Sequence, residues 1–518
     1  MAAIYDQNDA SVVVVIGSGA GGGTIGSELA KRGIAVVCLE AGPRLTLGDI
    51  RNNEPEMFGK LSWLDRRVGA GYAPDGMPVW SCKTVGGTTT HWTACCPRFH
   101  DFEFKGLSTY GALPDSNLAD WPVTLEDMNP WYEKAEFMLG VTGTNDIARL
   151  PASANFKVME AAARNIGYTD IDTYNMAINS APRDGRPACL QLGFCASGCA
   201  SNAKWTTLFN HIPQAEATDF YELRPESMVT QIVTGADGRA TGVRYVDRDG
   251  NEHEQQARVV CVAANVVETT RLLLNSKTEQ HPNGLANSSD QVGRNYMRHA
   301  MTMILGLMPG EVNMFKGAQC AGVIRDEVKH DPSRGFSAGF QYHLLGLSVE
   351  QMASTLDSKG WGKDYAEVLL NYKNLSGVIV TGEDLPQQDN RITLHPTEKD
   401  ALGLPVPVVT YNLHPNTRAM LDYSMMKGRA MYESLGATRV YTIEGFGATH
   451  NMGTARIGND PATSVCNSYG QTHDINNLFV SDGSLFTTSA CANPTLTIIS
   501  LMLRQADYLA GQLTSGAL

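Results

Sequence analysis

The chain has 518 residues, 43% of them hydrophobic and 18% charged, with 51 glycines and 23 prolines. That is the composition of a folded globular protein of two or three domains or one large composite, and it excludes disordered, collagen-like and coiled-coil chains. With 41 Lys and Arg against 54 Asp and Glu the net charge is −13, which repels phosphate backbones and argues against a nucleic-acid partner.

The N-terminus, MAAIYDQNDA, carries no basic region followed by an apolar segment and a cleavage site, so export would need a partner's signal. No stretch approaches the roughly 20 apolar residues of a membrane span. The apolar run from Val12 to Ile16 ends in glycines and reads as a buried strand. A helix of small residues to Lys31 and Arg32 and a second strand, IAVVCLE, complete a βαβ unit. Gly17, Gly19 and Gly22 form G-x-G-x-x-G between strand and helix. The first permits the tight turn, the second lets a pyrophosphate approach the backbone, and the third brings helix against strand. Glu40 ends the second strand, placed to accept hydrogen bonds from a ribose diol. Together these predict a dinucleotide site.

Further along stand VGGTTTHW at 85–92, then a region of about 100–215 rich in proline, aromatic residues and loops. Within it Cys189, Cys195 and Cys199 follow C-x5-C-x3-C, three of eleven cysteines. The spacing suits a [3Fe-4S] cluster, with reduced structural thiols or another metal such as zinc as alternatives. The other cysteines, Cys95 and Cys96 included, read as buried small hydrophobes. Strands recur from Tyr221 to Val262, followed by a helix through Thr270–Asn275, a second loop-rich region at about 300–440, and a final helix at Thr495–Leu513. No internal repeat or low-complexity tract is present. One cofactor domain assembled from three separated segments, with a substrate domain between them, is the expected organisation.

Several ordered segments together carry a family resemblance. The stretch from Gly17 through LEAGPR, VGGTTTHW, DWPVTLEDMNPWYEKAE at 120–136, ANVVETTRLLL at 264–274, DNRITL at 389–394, NMGTARIG and NPTLT resemble the glucose-methanol-choline (GMC) flavin oxidoreductases over nearly the whole chain. The resemblance implies an α/β fold, with a discontinuous Rossmann-like FAD domain (1–110, 216–300, 440–518). It also implies an α+β substrate domain with an antiparallel sheet (111–215, 301–439), including the Cys-rich segment 184–204. It implies FAD held by Gly17, Gly19, Gly22, Glu40, Gly86, Gly87, Thr88, Thr89, His91, Trp92, Val229, Asp482, Gly483, Pro494 and Thr495. A histidine near His91 is covalently bonded to FAD in some members. Pro494 and Thr495 open a helix whose amide end would favour an anionic reduced flavin.

The same resemblance makes His450 and Asn493 the catalytic pair: a neutral imidazole to take the hydroxyl proton and an amide to orient the hydroxyl. His473 in the same block reads as structural. The expected activity is oxidation of a secondary alcohol of a neutral sugar, glycoside or polyol. Arg456 is the sole cation of that block and already part of the motif. SACANPTLT and MGTAR look nearest to sugar and glucoside 3-dehydrogenases. DGRP and the three cysteines resemble the large subunits of glucose, fructose and gluconate dehydrogenases, which implies a small subunit, a cytochrome c acceptor and periplasmic co-export. An oxidase making hydrogen peroxide, an assembly or relay subunit, and a cytoplasmic location are the alternatives.

Overall fold

The computed structural model describes residues 4–356, 361–444 and 448–518; the first three residues of the N-terminal segment lie outside the described residues. Two sheets position the site. The first is parallel, in the order Leu478–Val480, Val259–Val262, Val13–Ile16, Val36–Leu39, Tyr221–Arg224. Its central strands VVVI, VVCL and VVCV are wholly buried. Continuous β-branched runs of this kind suit a strand covered on both faces. The helix Ala20–Ala30 links the first two strands, and the C-terminal helix Thr495–Ser515 packs on it. Strands from three distant parts of the chain therefore share one sheet.

The second sheet has six strands: Arg439–Ile443, Met303–Leu307, Leu375–Gly382, Phe340–Leu344, Gly322–Ile324 and Ile171–Thr173, antiparallel throughout. One face packs on the helices Ala154–Asn165 and Pro415–Ser434 through Ile304, Val378, Val380, Tyr342 and Met420. The opposite face carries Met303, Leu305, Leu345 and Ile379 in a cluster of methionines and leucines. Side chains alternate across a strand, so each strand supplies both faces.

The regions read from the sequence as loop-rich hold substantial helices. Leu125–Leu139 is capped by Thr124, whose hydroxyl accepts from the Asp127 amide while the Asp127 carboxylate accepts from Thr124. Its Tyr132 shares a hydrogen bond with Thr497, which attaches this helix to the parallel-sheet side. The strand Arg439–Ile443 crosses the expected boundary at 440 and pairs in the antiparallel sheet. The helix expected at 270–275 begins at Asn265. All eleven cysteines are free, and among the described residues no helix is long and apolar enough to cross a membrane.

Candidate active site

A long cavity runs from the C-terminal ends of the parallel strands to the face of the antiparallel sheet. Gly17, Gly19, Glu40, Gly87, Thr88, His91, Trp92, Val229, Asp482, Gly483, Pro494 and Thr495 all line it. Gly17 has φ of +94°, and a Cβ there would sit 2.5 Å from the Ala263 carbonyl oxygen, so only glycine fits that turn. Gly22, Gly86 and Thr89 stand behind the wall. A Cβ on Gly22 would meet the Gly17 oxygen at 1.8 Å, which locks helix to strand. Gly86 turns with φ of +93°, and the Thr89 hydroxyl donates to the Gly86 carbonyl at 2.5 Å.

The two glycine-rich turns touch. A Cβ on Gly87 would lie 2.8 Å from the Gly19 Cα. Ser18 joins them: its hydroxyl donates to Glu40 at 2.7 Å and accepts from the Gly86 amide at 2.9 Å. Glu40 also accepts from the Ser18 and Gly42 amides, and burial still pushes its carboxyl above the usual range. The helices Ala20–Ala30 and Thr495–Ser515 both begin at the cavity with no side-chain cap and no acidic residue in the first turn. Uncapped amides and positive helix ends suit an anionic group in between. This is a cradle for a dinucleotide, and its donor set fits FAD.

At the other end His450 and Asn493 meet. Asn493 Nδ2 lies 3.3 Å from His450 Nε2, and His450 Nδ1 lies 2.8 Å from His299 Nδ1. His299 Nε2 faces the carbonyl oxygens of Ala490 at 3.0 Å and Ser489 at 3.3 Å. Carbonyls only accept, so His299 carries its hydrogen on Nε2 and its Nδ1 is an acceptor. His450 must then donate through Nδ1, and its Nε2 carries no hydrogen and is the acceptor facing the Asn493 amide.

The other side of Asn493 is fixed by the same logic. Gln341 Nε2 donates to the Cys491 carbonyl at 2.7 Å and to the Tyr174 hydroxyl at 3.1 Å. Tyr174 passes its own hydrogen to Asn493 Oδ1 at 3.4 Å. Both ends of this chain of donors rest on carbonyls of one loop, 489–491. His450, at φ +55°, and Ala490, at φ +53°, are left-handed, a conformation that stores strain at sites where aim matters. Burial, then the neighbouring His299 and His343, holds the His450 imidazole well below its usual pKa.

The other residues singled out in the sequence lie elsewhere. His473 shares a hydrogen bond with Ser464 at 2.9 Å, and the Arg456 guanidinium donates to the Thr463 and Asn117 carbonyls; neither lines the cavity. Cys189, Cys195 and Cys199 surround the turn Cys195–Ser197, and among the described residues no three His, Cys, Asp or Glu side chains could hold a metal ion. The thiols turn to their own loop: Cys189 Sγ accepts from the Gln191 amide and Cys199 Sγ from the Lys204 amide, both at 3.4 Å. Burial pushes the Cys195 thiol up to about 12. The [3Fe-4S] cluster expected on these three thiols is not shown. Lys204 instead ties this loop to the turn before the cavity, donating to the carbonyls of Thr90 at 3.0 Å, Trp92 at 2.7 Å and Cys195.

Sequence reasoning missed Ser18, Lys204, Tyr174, His299, Gln341 and His343. Ser18 sits inside the glycine motif and Lys204 closes the cysteine segment, so both had a local signal. The other four come from strands or their edges with no motif around them.

The sequence model of a family described as GMC oxidoreductase matches residues 13–301 with its N-terminal part and 386–501 with its C-terminal part. The chain is 33% identical to 2-methyl-1,2-propanediol dehydrogenase of Mycolicibacterium austroafricanum, covering 98% of this chain and 95% of that protein. It is 28% identical to the fructose dehydrogenase large subunit of Gluconobacter japonicus, covering 97% and 98%. Among solved structures, pyridoxine 4-oxidase from Mesorbium loti shares the fold with a TM-score of 0.70 at 15% identity, over 96% of this chain and 99% of that one.

Proposed function

The chain belongs to the GMC oxidoreductase family, and on that premise we propose that it is an FAD-dependent dehydrogenase that oxidises the CH–OH group of a neutral polyol, glycoside or sugar to a carbonyl. The directional hydrogen-bond chain that leaves His450 Nε2 without a hydrogen, as an acceptor beside Asn493, is the observation that carries the reading.

An alcohol becoming a carbonyl loses a proton from oxygen and a hydride from carbon. FAD, when bound, supplies the hydride acceptor. His450 takes the proton on Nε2, the nitrogen that His299 keeps free of hydrogen. Asn493 Nδ2 donates to the same hydroxyl oxygen and turns its hydrogen toward His450. Once charged, the imidazole keeps its Nδ1–H on His299, whose own hydrogen rests on the Ser489 and Ala490 carbonyls. The charge is thus met by a fixed acceptor without reorganisation, the economical arrangement in a buried site.

A neutral substrate is supported by where the charges lie. The charged residues among the described lining are Glu40, Glu268, Arg271 and Asp482, all on the nucleotide side. Glu268 pairs with Arg67 at 2.9 Å and Arg271 with Asp400 at 2.6 Å. A dehydrogenase passing electrons to a protein or quinone is preferred to an oxidase on the dehydrogenase names of the two relatives described above. No cluster enters this reading.

The test is the visible flavin spectrum of the purified protein under nitrogen, with polyols, glycosides and sugars added singly before air is admitted. Bleaching by one of these classes and slow recovery in air is the expected result. Fast recovery in air would make the enzyme an oxidase, and bleaching by none of them would overturn the reading.

A further inference from the structure

Resting on the alcohol-dehydrogenase reading, we propose that His343 binds a second hydroxyl of the substrate, next to the reacting carbon, and that the preferred substrate is a short neutral vicinal diol with an alkyl body, ahead of a polyhydroxylated sugar.

The register of the antiparallel sheet builds the pocket. Met303 stands opposite Ile379, and Ile379 opposite His343. Directly opposed residues share a face, so these three side chains form one row across three strands, and all three line the cavity. The next row is Leu305, Gly377 and Leu345; a Cβ on Gly377 would meet Leu305 at 2.5 Å and Leu345 at 3.3 Å. Behind them Met314 and Met352 complete an apolar cluster. The floor beneath the reacting group is therefore thioether and aliphatic.

Two polar side chains there are committed. Gln319 accepts from the Ala196 amide and donates to the Gly346 carbonyl and Gln351. Thr449 donates to the Met301 sulfur at 3.4 Å. His343 differs. It is 1% exposed, and among the described residues neither ring nitrogen has a hydrogen-bond partner.

Its ring meets Tyr174 edge-on at 4.8 Å, and Tyr174 is the residue that donates to Asn493. His343 thus stands one ring away from the catalytic amide. Burial, with His299 nearby, pushes its pKa down to about 3, so it is neutral, with one nitrogen donating and one accepting. A hydroxyl, which does both, is its natural complement.

A buried imidazole without a partner is costly, and a ligand hydroxyl relieves that cost. A sugar would present further hydroxyls to Met303, Ile379 and Leu345, which offer them nothing. One hydroxyl at His450 and Asn493, one at His343, and a hydrocarbon remainder on the floor match these groups.

The test uses the FAD-loaded enzyme and its His343→Leu and His343→Gln variants, with flavin bleaching under nitrogen by butane-1,2-diol, butan-1-ol and methyl β-D-glucopyranoside. Taking the diol-to-alcohol ratio of kcat/KM within each variant cancels any loss of folded protein. Wild type should favour the diol by about tenfold or more, the worth of one well-placed hydrogen bond. The ratio should fall to about one in His343→Leu and lie between in His343→Gln. An unchanged ratio in His343→Leu, or faster bleaching by the glucoside than by the diol in wild type, would overturn the proposal and leave the dehydrogenase reading standing. Bleaching by none of the three, nor by other alcohols, would overturn both.

Discussion

His450 and His299 meet nitrogen to nitrogen, with 2.8 Å between their Nδ1 atoms. A hydrogen bond between two such nitrogens holds one hydrogen, and the carbonyls behind His299 assign it to His450. His299 is thus a positioning residue that sets which nitrogen of His450 is the base. His299→Leu should lower the rate of flavin reduction by substrate about 10- to 100-fold, as loss of a tautomer-fixing partner does. His299→Gln, whose amide oxygen can accept from Nδ1–H, should recover most of it. Equal loss in both variants would assign His299 a packing role only.

The pH profile tests the same pair in wild type. Burial disfavours the imidazolium at His450, and the neighbouring histidines add to that. A base with a lowered pKa is competent at every pH above it. Flavin reduction should therefore be flat from about pH 6.5 to 9 and fall only further into acid. A limb with its midpoint at or above 6.5 would show that the reacting base is not this buried imidazole.

The contact between the two glycine turns makes a prediction about cofactor retention. Gly87 has φ of +50° and would place a Cβ 2.8 Å from Gly19, on the wall that holds the dinucleotide. Gly87→Ala must push the turns apart and adopt a left-handed conformation, a strain of about 1 kcal/mol or more. The purified variant should show a lower ratio of flavin to protein absorbance at similar melting temperature without FAD. Full flavin occupancy would contradict the assignment of this contact to the cofactor cradle.

Stability carries its own signature. Glu383 is buried, and burial, then the Glu103 carboxylate, raises its carboxyl to about 8; Tyr110 donates to it at 2.7 Å. The folded state keeps the proton where the unfolded chain releases it, so stability is fully present below the unfolded pKa and declines as pH rises toward 8. The total is a few kcal/mol, on the order of 1.4 for each tenfold by which folding tightens the hold on the proton. Glu383→Gln keeps an acceptor for Tyr110 and cannot ionise. Its melting temperature should exceed wild type at pH 8 and converge with it near pH 5; parallel curves would contradict this.

The parallel core is legible because its signals are local. A Val-rich strand, three glycines and Glu40 lie within 40 residues, and each is dictated by a neighbour in the same unit. The T-x-x-D cap of the helix at 125–139 is equally local, but prolines and aromatics around it mask the helical pattern. The support of the catalytic pair is not legible. His299 and Gln341 reach His450 and Asn493 only through sheet register and the turn at 489–491, and register is a property of pairing between distant strands. The cysteine segment shows the converse. Its spacing suggests a ligand set, but spacing does not fix where three thiols come to lie, and among the described residues no group of three could hold a metal ion.

The most direct test of the central claim is single-turnover reduction of the bound flavin under nitrogen in wild type and His450→Ala, with the oxidised spectra first matched to show equal FAD content. The substrate is whichever alcohol bleaches wild type fastest. Loss of the base should slow reduction by about 100-fold or more. A His450→Ala enzyme that holds FAD and is reduced at the wild-type rate would contradict the account.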